Sequence, residues 1–62
     1  MTDLEDAEAR EHAAAIMRLR LCEALDRGEP VAGLAAHAHA EWVQAKTDLA
    51  GAAFAELARV AS

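Results

Sequence analysis

Hydrophobic residues recur along this chain at the three- and four-residue intervals of an α-helix, on both sides of one strong breaker. In that breaker, Arg27-Gly28-Glu29-Pro30, Gly28 suits the left-handed residue after a helix end and Pro30 suits the first residue of the next helix. No run of alternating β-branched residues indicates a strand. The pattern predicts one all-helical domain over residues 1–62, made of helix 1 at about 3–27, a turn at 28–30 and helix 2 at about 31–60.

Two positions leave the extent of helix 2 open. Gly33 can delay its start to Leu34, and Thr47-Asp48 can cap a third helix, which would give Leu34–Lys46 and Leu49–Val60 as separate helices. Because neither proline nor glycine follows Gly33 until residue 51, a continuous helix 2 is the primary prediction. At the other end of the chain, Thr2 and Glu5 fit a capping box.

Helix 2 is apolar around more than half of its circumference. At 100° per residue, one row contains Val31, Ala35, Ala38, Trp42, Leu49, Ala53 and Val60. The neighbouring row contains Ala32, Ala36, His39, Val43, Ala50, Phe54, Leu57 and Ala61. The main stripe of helix 1 contains Leu4, Ala7, Ala14, Met17, Leu21, Ala24 and Leu25, with Ile16 and Leu19 on its far side. Since one neighbouring helix cannot cover two rows, we expect an antiparallel hairpin that dimerises into a four-helix bundle.

Composition also favours association. Hydrophobic residues make up 55% of the 62 residues, yet Trp42 and Phe54 are the only aromatics, and 18 residues are alanine. Alanine favours the helix but buries little area, and a chain of this length has a small core. Cys22 is the only cysteine, so no disulfide can form within the chain. A metal or association with another chain remains as the source of stability, and the composition leads us to expect an oligomer or an obligate partner.

The rows of helix 2 and the far side of helix 1 supply the predicted interface. Trp42 and Phe54 lie about 120° apart, so one is expected to pack on helix 1 and the other across a subunit or partner boundary. His39 interrupts an apolar row, which is typical of an interface histidine hydrogen-bonded to its neighbour; a pH-dependent interface is the alternative. The predicted interface residues are Ile16, Leu19, His39, Trp42, Val43, Leu49, Phe54 and Leu57.

The charge is acidic, with 11 Asp and Glu residues against 6 Lys and Arg, and five of the acids fall in the first eleven residues. A net charge of −5 argues against a broad nucleic-acid footprint and suits a basic partner surface. No signal peptide is visible in the acidic first residues, and no apolar run reaches about 18 residues. We therefore expect a cytoplasmic protein without a membrane span.

Three further groups of polar residues have structural interpretations. His37 and Glu41 are four residues apart and predict a solvated ion pair; as a metal site they would need ligands from another chain, such as His12. The four arginines of helix 1, Arg10, Arg18, Arg20 and Arg27, are interpreted as solvated ion pairs, for instance Arg27 with Glu23, with phosphate contact as the alternative. No phosphate loop, Ser-His-Asp set or paired cysteine motif occurs. The sequence thus predicts no enzyme, metal or cofactor.

In length and plan the chain is similar to the plasmid RNA-binding regulators of the Rop type. That resemblance implies a hairpin of about sixty residues, a dimeric four-helix bundle and RNA binding through helix 1. Helix 1 here lacks the aromatic, amide and lysine side chains of those proteins. The sequence predicts a small acidic protein-interaction module that dimerises and binds a larger protein as regulator, inhibitor or accessory subunit. The alternative is a Rop-like, nucleic-acid-linked regulator that uses the helix 1 arginines.

Overall fold

The computed structural model describes residues 2–61 and contains two long helices that pack against each other as a hairpin. Helix α1 spans Asp3–Asp26 and helix α2 spans Ala32–Ala61. The hairpin measures 52 × 17 × 12 Å. The prediction of an all-helical hairpin is confirmed. Neither helix is long and apolar enough to cross a membrane, as far as the described residues go.

The turn ends α1 through a hydrogen-bond pattern that requires a left-handed residue. Gly28 has φ of 86°, and its N–H donates to the Leu25 carbonyl over 2.9 Å. The Glu29 N–H donates to the Ala24 carbonyl over 3.1 Å. This pair of bonds is a Schellman motif, with Gly28 in the position that residues with a Cβ rarely adopt. The role predicted for Gly28 is confirmed.

Pro30 lies outside both helices. The N–H of Val31 bonds back across it to the Glu29 carbonyl over 2.8 Å, and the Val31 carbonyl then accepts the Ala35 N–H over 2.8 Å. Helix α2 therefore begins after Val31, and the prediction that Pro30 is its first residue was wrong. The cause is the Schellman motif: its hydrogen bonds extend to Glu29, so that Pro30 falls in the reversal between the helices and not in the first turn of α2. As a result, α1 ends one residue earlier, and α2 begins one residue later, than the pattern predicts.

Thr2 caps α1 as predicted, but Glu5 bonds the Thr2 hydroxyl rather than the Thr2 backbone N–H that a capping box requires. The Thr2 hydroxyl accepts the Glu5 N–H over 3.1 Å and donates to Glu5 Oε1 over 3.3 Å. Acidic residues at positions 3, 5 and 6 occupy the first turn, where they interact favourably with the positive end of the helix dipole.

Helix α2 runs unbroken through both of the positions that the sequence leaves open. Gly33 lies within its first turn and does not delay the helix. Thr47 does not cap a third helix, because its hydroxyl donates to the Val43 carbonyl of the preceding turn over 3.0 Å.

The helices meet along two narrow stripes in which residues alternate at intervals of three and four. The inner stripe of α1 contains Leu4, Ala7, Glu11, Ala14, Arg18 and Leu21, all buried or half-buried. The inner stripe of α2 contains Val31, Ala35, Ala38, Trp42, Ala45, Leu49, Ala52 and Glu56, also buried or half-buried. Four side chains in the described part of the chain are buried, and all are alanines: Ala7, Ala24, Ala35 and Ala38. The core of one hairpin therefore gains little from hydrophobic burial.

The two helices differ in length. With 30 residues against 24, α2 is longer by about 9 Å at 1.5 Å per residue. Because the turn joins the helices at the other end, the last turns of α2 project past the start of α1. Phe54, Leu57 and Val60 lie towards this end and are 75%, 68% and 75% exposed.

Candidate interaction surfaces

The face of α2 that points away from α1 carries a second regular apolar stripe. This outer stripe consists of Ala36, Ala40, Val43, Thr47, Ala50, Phe54, Leu57 and Ala61, all exposed. Its spacing alternates strictly between four and three residues, which is the repeat of a helix-packing seam. Its first six members each precede a residue of the inner stripe by two positions, so the two stripes lie about 160° apart around the helix. One neighbouring helix covers the inner stripe and leaves the outer stripe bare.

The outer stripe presents almost no polar groups that a covering surface would have to hydrogen-bond. Thr47 is its only polar member, and that hydroxyl is already bonded within α2. Its flanking positions hold His37, Gln44, Gly51 and Ala58 on one side and His39, Lys46, Ala53 and Val60 on the other. None of the chain's acidic residues stands in the stripe or its flanks. The stripe itself is therefore almost entirely apolar, and the nearest carboxylates, Glu41 and Asp48, lie beyond one flank, bonded to His37 and Gln44.

A smaller apolar surface lies on the outer side of α1. Ile16 and Leu19 are 39% and 53% exposed and share a side of the helix with Glu5, His12 and Glu23 at 100° per residue. This α1 patch, defined as Ile16 and Leu19, is bordered at spacings of three and four residues by Ala13, Ala15 and Cys22 and by three polar residues, His12, Arg20 and Glu23.

Between the helices, polar groups surround the only tryptophan. Trp42 Nε1 donates to Glu11 Oε1 over 3.1 Å. The Arg18 guanidinium carbon lies 4.3 Å from the centre of the Trp42 ring and Lys46 Nζ lies 4.5 Å from it. The His39 ring is tilted by 50° at 5.8 Å from the same side chain. These contacts fix Trp42 inside the hairpin, with two cations against its ring.

Arg18 corrects the prediction that the helix 1 arginines lie on a solvated face. Its side chain is half-buried over Trp42, and its Nε is buried without a hydrogen-bond partner. Glu11 was likewise not predicted at the seam. The interval of seven residues between them, in register with Leu4, is the sequence signal that could have identified both. Met17, which was predicted in the main apolar stripe of helix 1, is 52% exposed and lies outside the inner stripe of α1.

The structure divides the eight predicted interface residues among different places. Val43, Phe54 and Leu57 share the outer stripe of α2, and His39 flanks it. Ile16 and Leu19 form the α1 patch. The remaining two, Trp42 and Leu49, are half-buried on the inner stripe of the same chain.

The surface ion pairs agree in part with the prediction. His37 Nε2 lies 2.9 Å from Glu41 Oε1, and both side chains are exposed, so the predicted solvated pair is confirmed. Arg27 pairs with Glu29 over 2.9 Å rather than with Glu23, because Arg27 caps the helix and its side chain follows the turn. Across residues 2–61, no three His, Cys, Asp or Glu side chains gather as a metal site would require.

Comparison of the chain with protein-family models, curated proteins and solved structures gives no match to any of them. The functional proposal therefore rests on the two exposed apolar surfaces and on the charges around them.

Proposed function

We propose that this chain is a small acidic protein-interaction module that self-associates and binds a larger protein as a regulator, inhibitor or accessory subunit. One observation carries the proposal: the described hairpin buries only alanines and exposes nine large hydrophobic side chains. These are Ile16, Met17, Leu19, Leu25, Leu34, Val43, Phe54, Leu57 and Val60. Extended apolar surface of this kind marks protein contacts in soluble proteins.

Self-association is supported by the arrangement of the two stripes of α2. A helix with apolar stripes on nearly opposite sides is stable in water when it has a neighbour on each side. The hairpin supplies one neighbour, and a second hairpin supplies the other, which gives a four-helix assembly with the α2 helices in contact.

Binding to a larger protein is supported by the α1 patch. Ile16 and Leu19 present exposed apolar groups with Glu23 one turn beyond Leu19, and the chain carries a net charge of −5 with acids concentrated near the start of α1. An apolar pocket with a basic rim on the partner would complement this surface, because rim charges of opposite sign accelerate and orient association. We place this interaction in the cytoplasm, where the free Cys22 thiol stays reduced.

The nucleic-acid alternative is less well supported. Arg18 is held against Trp42 and Arg27 is paired with Glu29, which leaves Arg10 and Arg20 among the α1 and turn arginines. Two arginines on an acidic chain provide a weak basis for phosphate binding, which normally requires a basic stripe.

The experiment compares three tagged chains in the native cell: the natural chain, Leu19→Glu in the α1 patch and Ala13→Glu at another exposed position of α1. Chains are cross-linked, purified and analysed by quantitative mass spectrometry. We expect a larger protein in stoichiometric amount with the natural chain and with Ala13→Glu, and its loss with Leu19→Glu. Recovery of the module alone, or equal recovery by all three chains, would contradict binding through the α1 patch.

A further inference from the structure

We infer that a second copy of this chain docks on the outer stripe of α2 in an antiparallel orientation and in one defined register. This inference rests on the proposed self-association and adds which surface, which direction and which residues meet. In the proposed register, paired residues have numbers that add up to 97, so that the two-fold axis passes between Thr47 and Ala50.

Side-chain size selects the antiparallel direction. The two bulkiest residues of the outer stripe, Phe54 and Leu57, lie in its C-terminal half, whereas its N-terminal half holds alanines, Val43 and Thr47. Antiparallel docking pairs Phe54 with Val43 of the second copy and Leu57 with Ala40 of the second copy. Each of the two bulkiest residues then faces a smaller one, which favours close packing along the seam. Parallel docking would instead place Phe54 against itself and Ala40 against itself, with crowding at one end and gaps at the other.

The same register pairs every member of the stripe. In addition to the two pairs just described, Ala36 faces Ala61 of the second copy and Thr47 faces Ala50 of the second copy. Every residue of the stripe therefore faces a stripe residue of the other chain. The hydroxyl of Thr47 brings no unsatisfied donor into the seam, because it is bonded to the Val43 carbonyl. A shift by one or two residues would break the match between large and small layers.

Charge favours a second copy as the occupant. Two chains of net charge −5 repel each other, so their contact should exclude their carboxylates. The outer stripe and its flanks contain none. Lys46, their only lysine or arginine, has its ammonium over the Trp42 ring, on the side of α1. The nearest carboxylates, Glu41 and Asp48, lie beyond one flank and are already bonded to His37 and Gln44. A basic partner would therefore find little complementary charge, whereas an identical acidic chain brings no carboxylate into the contact itself.

The available area is adequate for a dimer. A standard interface buries about 800 Å² per partner, and the chain has 4630 Å² of accessible surface. The stripe and its flanks are sixteen residues, about a quarter of the chain, with a proportional share of roughly 1,200 Å². Covering about two-thirds of that share would meet the requirement.

The geometry also sets the shape of the assembly. Because the inner and outer stripes are about 160° apart, α1 lies on the side of α2 away from the second copy. The four helices then form a layer with both α2 helices in the middle and an α1 helix at each edge.

Disulfide trapping tests the register. Ala36→Cys and Ala61→Cys are made separately in a Cys22→Ser background, oxidised alone and as a mixture, and mapped by mass spectrometry. In the proposed register, positions 36 and 61 of different copies are adjacent, while the two copies of position 36 are about 37 Å apart. A disulfide requires Cα atoms within about 7 Å. We expect a bond between positions 36 and 61 in the mixture and none in either variant alone; a mixture of Ala9→Cys on α1 with Ala61→Cys serves as the matched control and should give none.

Four other results would overturn the inference. Bonds of each variant to itself would show parallel docking. Equal trapping in the control mixture would show random collision. A dimer by sedimentation without the 36–61 bond would place the interface elsewhere and leave the proposed self-association intact. If the Cys22→Ser parent sediments as a monomer at every concentration, both this inference and the self-association part of the proposed function fail.

Discussion

The indole Nε1 of Trp42 on α2 donates a hydrogen bond of 3.1 Å to Glu11 Oε1 on α1. Most of the remaining contacts between the helices involve alanine or other apolar groups, which can slide past one another at small cost. A directional bond between two part-buried groups, supported by Arg18 against the same ring, fixes how the two helices align. We therefore regard this pair as the element that selects the register of the hairpin.

Glu11→Ala should destabilise the hairpin. It leaves the part-buried indole N–H without its acceptor, which typically costs about 1–3 kcal/mol in unfolding free energy. Glu11→Gln retains an acceptor and should lose less. Glu8→Ala removes an equal charge from an exposed position of α1 and is the control, with an effect of about 0.5 kcal/mol or less. Urea unfolding followed by tryptophan fluorescence measures all three; equal losses for Glu11→Ala and Glu8→Ala would show that the bond contributes nothing.

Arg18→Met should leave the stability nearly unchanged. The substitution removes a cation–π contact worth about 0.5–2 kcal/mol, and it also removes a buried Nε that has no hydrogen-bond partner. Arg18→Ala should cost more, because it loses the packing of the side-chain stem on Trp42 as well. Chemical unfolding compares the two variants, and a larger loss for Arg18→Met than for Arg18→Ala would contradict this account of Arg18.

Gly28→Ala should destabilise the turn by about 1–2 kcal/mol, because a Cβ is unfavourable at φ of 86°. Gly33→Ala is the matched control within a helix, where the added Cβ meets nothing within 4 Å. It should be neutral or stabilising by up to about 1 kcal/mol. Thermal unfolding at one fixed protein concentration distinguishes the two, and equal effects would mean that the turn does not depend on a left-handed residue.

The local elements of this fold could be predicted from the sequence, because their signals lie within a few residues. Gly28 indicates the helix end and Thr2 the helix start. The two apolar sides of α2 follow from periodicity in outline only, because Ala53 and Val60, predicted in the row of Trp42, flank the outer stripe instead. The seven-residue interval from Leu4 through Glu11 to Arg18 marks the side of α1 on which both lie. It does not show that this side accepts polar groups, since a polar residue enters a seam only when another helix offers it a partner. Trp42 is the partner of both residues, and it lies 31 positions from Glu11 along the chain. The position of Pro30 depended on hydrogen bonds that the turn itself creates.

Trp42→Ala and Phe54→Ala should have different effects, the first on helicity and the second on association. Trp42 lies between the helices, and its removal should cost on the order of 3 kcal/mol and reduce helicity at every concentration. Phe54 is 75% exposed in one hairpin, so Phe54→Ala should leave the helicity of associated chains intact and weaken association by about tenfold or more. Circular dichroism and sedimentation of each variant test this contrast. Loss of helicity by Phe54→Ala in an associated state, or unchanged association, would contradict the placement of Phe54 at a contact between chains.

The central claim is that one hairpin is incomplete and gains its stability from a second chain through the outer stripe of α2. Its most direct test is thermal unfolding of the natural chain over about a hundredfold range of concentration, with sedimentation velocity on the same samples. The account predicts a dimeric mass at the upper concentrations and a Tm that rises steadily with concentration, since dissociation is coupled to unfolding. A monomeric mass throughout, with a cooperative melt at one constant Tm, would contradict it.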